Sequence, residues 1–114
     1  MTIYRRAWTM RLLEGAEARY DAAHAAIWPE LARQMLADGI CRFHLFRSGL
    51  MIFAVQERRT PFPASETPPS ELTLRWWQSM APLMVTDKEG RPERTELKEV
   101  FALDAVSAEK DIAE

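Results

Sequence analysis

The chain is poor in the residues that staple or metallate small proteins. It has one cysteine and two histidines in 114 residues. A lone Cys41 cannot close an internal disulfide, and with His24 and His44 scattered around it there is no zinc-binding spacing. Charge of either sign is not in excess. Fifteen basic residues against seventeen acidic ones leave a net charge of −2, which argues against a dedicated nucleic-acid binder. No apolar run approaches membrane-spanning length. No apolar stretch follows Arg5 and Arg6, so no signal peptide is expected and the expected compartment is the cytoplasm. Phosphate loop, dinucleotide fingerprint, serine elbow and metal-binding helix motif are all missing.

The chain does have enough length for one domain with a real core. Residues 1–104 read as that domain and 105–114 as a frayed tail. Residues 3–12 alternate as a strand does, with Tyr4, Trp8, Met10 and Leu12 on one side. Residues 14–38 read as helix. Pro29 suits a first helical turn but breaks an interior, so a break is expected near residues 25–28 with a second segment starting at Pro29. Gly39 would cap that segment. Residues 40–47 and 50–58 read as a hairpin joined by Ser48-Gly49. Residues 59–70 hold four of the seven prolines and form a long loop. A helix from Ser70 through residue 84 and a final strand over 95–103 complete the order β-α-β-β-α-β. That is a ferredoxin-like α+β fold. With helices on one face of the sheet and apolar or aromatic residues on both, the spare face is expected to meet a second copy in a homodimer.

Tyr20 and His24 are four residues apart, so on a helix they lie one above the other on the face that also carries Ile27, Trp28, Leu31 and Met35. They are either two amphipathic core aromatics or a proton-exchanging pair at the edge of a core. Trp76 and Trp77 point about 100° apart on a helix, so they either divide between core and seam or wall a pocket suited to a sugar ring. His44 falls on the opposite strand face from Phe43 and reads as structural or as a dimer-face residue. One of Arg5 and Arg6 must point inward, where it could bind hydroxyls or a carboxylate. Cys41 has no basic neighbour on its own strand face to activate it.

Taken together, Tyr20-x-x-x-His24-x-x-Ile27-Trp28-Pro29-Glu30-Leu31, Gly39, Arg75-Trp76-Trp77 and Leu97-x-Glu99-Val100-Phe101 closely resemble the L-rhamnose mutarotase family over residues 3–103. The resemblance implies a dimeric α/β barrel. It also implies interconversion of the α and β anomers of a 6-deoxy-L-hexose, L-rhamnose first and L-fucose as the alternative, with no cofactor and no metal. By that resemblance His24 is the proton donor, Tyr20 contacts the substrate and assists, and Trp76 and Trp77 hold the sugar. Phe43 stands where the family's rhamnose enzymes often carry a sugar-contacting tyrosine, and would offer apolar wall to the sugar's methyl group. The proline-rich 59–70 loop also departs from the family's more helical segment. Two readings from other classes share the site's ingredients: a cofactor-free monooxygenase of the same barrel shape, and a non-catalytic sugar-binding module.

Overall fold

The computed structural model describes residues 2–64 and 67–105, so most of the expected tail lies outside the described residues. Four strands and three helices follow in the order β1 (Tyr4–Arg11), α1 (Glu17–Ala25), α2 (Pro29–Ala37), β2 (Ile40–Ser48), β3 (Met51–Arg58), α3 (Glu71–Met80) and β4 (Arg94–Leu97). A short 3-10 turn, Ala81–Leu83, extends α3. The sheet runs β2-β3-β1-β4 with every pairing antiparallel. This is the ferredoxin-like strand order expected from the element pattern.

Local chemistry sets the element ends. The residue before a proline is pushed towards extended backbone, and Trp28 takes φ −62°, ψ 124°, so α1 cannot run on into α2. Pro29 then opens α2, where its missing N–H costs nothing. At the far end of α2, Gly39 has φ 102°, and an added Cβ there would lie 2.7 Å from Thr60 Oγ1. Backbone conformation and close approach both select glycine at this position. Ser70 caps α3, its hydroxyl accepting from the Thr73 N–H at 3.1 Å. The hairpin turn is Gly49-Leu50, with Gly49 at φ 59° in the first central position. It sits one residue later than the Ser48-Gly49 junction expected from the apolar runs.

Register assigns the faces. Trp8 pairs with Ala54, Met10 with Ile52 and Arg6 with Gln56, while Phe43 pairs with Gln56 and Leu45 with Ala54. Directly paired residues share a face, so these side chains all lie under the helices. The core there joins Leu12, Ala16, Tyr20, Leu31, Ile52, Trp76, Met80, Leu83 and Met84. The opposite face carries Ala7, His44, Phe46, Phe53, Val55 and Leu97. Phe46 is 59% exposed on that face. His44 therefore lies opposite Phe43, as alternation requires.

The last strand differs from expectation. Pairing with β1 stops at Leu97, not at residue 103, and Val100, Phe101 and Leu103 are exposed, Val100 by 86%. Their apolarity suggested a strand. Apolarity signals a need for burial without specifying the partner, and the ladder with β1 ends at the Ala7–Leu97 pair. The helix expected through residue 84 likewise ends its α-helical part at Met80, where Pro82 two residues on cannot donate to another turn. No helix among the described residues is long and apolar enough to cross a membrane.

Candidate active site

Helix α1 delivers Tyr20 and His24 to one side, four residues apart, and the fold presses that side against α3 and the hairpin. Tyr20 is only 4% exposed and belongs to the core. Its ring lies 4.2 Å from that of His24, centroid to centroid, with the planes tilted by 36°. His24 in turn meets Trp76 edge-on at 5.3 Å, and Trp76 meets Trp28 edge-on at 5.0 Å. Edge-to-face packing suits the aromatic quadrupole and holds each ring at a defined angle.

The imidazole is fixed through one nitrogen. His24 Nδ1 lies 2.9 Å from the Tyr20 carbonyl oxygen. A carbonyl only accepts, so Nδ1 carries the hydrogen and donates it. Proton exchange is then left to Nε2, a base in the neutral ring and an acid in the imidazolium. The Tyr20 phenol is held neutral. Burial, and secondarily the nearby Asp21 carboxylate, push it up to about 12. Around neutrality it is an O–H group that can donate or accept, not a phenolate.

A cleft of about 190 Å³ opens beside this pair, lined by Tyr20, Asp21 and His24 from α1 and by Leu45, Phe46, Arg47 and Ile52 from the hairpin. It is smaller than the roughly 300–1,000 Å³ common for drug-sized ligands, and so suits a compact one. At its rim Arg47 grips Asp21 with two parallel bonds, Nε to Oδ1 at 2.8 Å and Nη2 to Oδ2 at 2.6 Å. That fork pins the hairpin to α1, and the Arg47 guanidinium holds the Asp21 carboxyl below its ordinary value.

Of the residues singled out from sequence, the fold brings Tyr20 and Trp76 each into ring contact with His24. Phe43 lies on the same sheet face, two residues from Leu45, with its ring 5.8 Å from that of Trp8. Trp77 diverges from Trp76 as helical geometry demands. It packs against the edge of the core, with the Arg91 guanidinium 5.8 Å above its ring. Arg6 is the inward arginine, 5.3 Å over Trp8, whereas Arg5 turns to the open face and pairs with Glu57 at 2.6 Å. Three participants escaped the sequence reading: the Asp21–Arg47 fork, the packing of Trp28 on Trp76, and Phe62. The last sits in the proline-rich loop and folds back to within 4.4 Å of Arg6. Only the Trp28-Pro29 pair left a sequence signal, and that signal was about backbone. Among the described residues no three His, Cys, Asp or Glu side chains converge as a metal site.

Comparison with known proteins is consistent across sequence and structure. A family profile described as L-rhamnose mutarotase matches residues 5–103. The chain is 36% identical over 103 residues to an L-rhamnose mutarotase of Flavobacterium johnsoniae, covering 88% of this chain and 95% of that protein. It is 31% identical over 102 residues to one from Bacteroides thetaiotaomicron, covering 88% and 98% respectively. The crystal structure of an L-rhamnose mutarotase from Formosa agariphila superposes with a TM-score of 0.77 at 26% identity, covering 89% of this chain and 99% of that one.

Proposed function

The chain belongs to the L-rhamnose mutarotase family, and on that premise we propose that it interconverts the α and β anomers of L-rhamnose by acid–base ring opening beside His24. The observation that carries the reading is the His24 hydrogen bond. With Nδ1–H committed to the Tyr20 carbonyl, Nε2 is the atom that exchanges protons in the site.

Mutarotation requires the ring oxygen to gain a proton while the anomeric hydroxyl loses one, then the reverse on the other carbonyl face. The imidazolium of His24 protonates the ring oxygen through Nε2 while water takes up the proton of the anomeric hydroxyl. On reclosure the neutral imidazole recovers its proton from the hydroxyl that the ring oxygen became, and water returns one to the carbonyl oxygen. Tyr20, kept as a neutral phenol by burial, orients the sugar and assists the second transfer. Trp76 fixes the imidazole edge-on and, with Trp77, bounds the sugar, while Phe43 offers apolar surface to the methyl group. A positioned acid–base group contributes roughly 10²–10⁴-fold, a useful gain for a reaction that already proceeds slowly in water. The two named relatives favour L-rhamnose over L-fucose and over oxygenase chemistry, since each is named for rhamnose. Saturation transfer between the anomer signals of L-rhamnose measures the exchange directly. His24→Ala is expected to return it to the solvent rate, and unchanged exchange in that variant overturns the assignment.

The same reading includes a homodimer. Its support is the apolar open sheet face, with Phe46, Phe53 and Leu97 exposed, and the exposed Val100, Phe101 and Leu103 beyond it. Two such faces packed together would make an α/β barrel from two sheets. A solution mass of twice the chain supports this, and a monomer at micromolar concentration refutes it.

A further inference from the structure

Two nitrogens under the helical layer are buried without a hydrogen-bond partner among the described residues that speaks to their charge: Arg6 Nε and Arg58 Nε. Both guanidiniums lie against one ring, with Cζ atoms 4.4 Å and 5.7 Å from the Phe62 centroid. A third, Arg94, lies 4.6 Å from the Trp8 centroid, and Arg6 shares that indole at 5.3 Å. Three cations from three strands thus surround two aromatic side chains. The described residues supply one ion-paired carboxylate to the group, Glu96 at 3.0 Å from Arg94, and none to Arg6 or Arg58.

Among the described residues this arrangement carries more positive than negative charge. Burial, reinforced by the Arg94 and Arg58 charges and only partly offset by Glu96, draws the Arg6 guanidinium below its ordinary value. Cation–π contact satisfies the flat faces of a guanidinium. It does nothing for the N–H groups, which lie in the plane and need acceptors there. Arg58 is 8% exposed and is oriented by Nη2, which donates to the Asp38 carbonyl and to Thr60 Oγ1. Its Nε–H is therefore held in place with no acceptor among the described residues. Three neighbouring guanidiniums with surplus positive charge among the described residues, beside two aromatic rings, match an oxyanion, which the partly exposed Arg6 and Arg94 side chains can reach.

We propose that Arg6, Arg58 and Arg94, with Phe62 and Trp8 as walls, bind the oxyanion of a small molecule, a carboxylate or a phosphate. The site is separate from the cleft beside His24. It shares no residue with the lining of that cleft, so the anion site stands whether or not the sugar assignment does, and Phe43, in contact with Trp8, lies beside it.

Intrinsic tryptophan fluorescence and thermal shift, titrated with inorganic phosphate and in parallel with glucuronate against chloride at matched ionic strength, test the proposal. Saturable binding is expected for at least one of the two anions. Saturation by phosphate alone identifies a phosphate site, and saturation by glucuronate alone a carboxylate site. Arg6→Gln should weaken the binding by about tenfold or more, the scale of one charge-assisted hydrogen bond. Arg33→Gln removes the same charge from an exposed position on α2 and should leave binding unchanged. If Arg6→Gln fails to fold, Arg94→Gln carries the same expectation, because Arg94 sits on the short edge strand β4 with a partly exposed side chain. Equal weakening by Arg33→Gln, or a response no greater than that to chloride, overturns the site.

Discussion

Replacing Tyr20 by phenylalanine removes one oxygen from the centre of the site and separates two consequences. The ring stays, so packing against His24 and the core is kept. No described residue hydrogen-bonds the phenol, so stability near neutral pH should change by about 1 kcal/mol or less. Alkaline pH should reveal the oxygen. The native phenol titrates at about 12 against 10.0 for an unfolded tyrosine. The native state therefore keeps a proton that the unfolded state has lost, and stability falls as pH rises from about 10 to 12. Two units at 1.36 kcal/mol each make that loss about 2–3 kcal/mol in the native chain. Tyr20→Phe has no such proton and should be spared it. Urea melts at a series of pH values measure both proteins, and the difference in unfolding free energy should grow in favour of the variant across this window. In the same variant, anomer exchange should fall by less than in His24→Ala, because the acid remains. Parallel loss of stability in the two proteins would refute the account of a buried neutral phenol. Full exchange activity in the variant would refute its part in the reaction.

Trp76 is 9% exposed and braces both His24 and Trp28. Trp76→Ala should cost about 3–5 kcal/mol in denaturant melts, with exchange activity falling further than the folded fraction explains. Trp76→Phe should recover most of the stability. Gly39→Ala combines a left-handed backbone with a Cβ 2.7 Å from Thr60 Oγ1, whereas Gly49→Ala meets nothing within 4 Å. The first should lower the melting temperature clearly more than the second, whose cost is the backbone strain of about 1 kcal/mol alone. Equal effects would mean that the approach to Thr60 is relieved freely.

The clearest agreement between pattern and structure lies where the physics is local. A proline forbids the helical conformation before it and favours a first turn after it, so the break between α1 and α2 is written in Trp28-Pro29. The i,i+4 spacing of Tyr20 and His24 likewise fixes their stacking once the segment is helical. The strand at 95–103 failed for the complementary reason. Val100, Phe101 and Leu103 announce a need for burial, but pairing depends on what another strand presents. Trp76 and Trp77 show an intermediate case. Their divergence follows from 100° per residue, yet which of them meets His24 depends on how α3 is rolled against the sheet.

The amino-acid order alone therefore determined the element sequence, the helix break, the paired phenol and imidazole, and a family motif specific enough to point to sugar chemistry. The first three rest on torsions, spacing and periodicity within short stretches of chain, and the fourth on a resemblance spread from Tyr20 to Phe101. Tertiary structure decided that Arg6 and not Arg5 turns inward, because register places Arg6 opposite Gln56 and Arg5 opposite Glu57. It also brought Phe62 onto Arg6, and Arg47 onto Asp21. Those contacts join segments far apart in the chain. Such partners are chosen by strand pairing and loop closure, which no local pattern encodes.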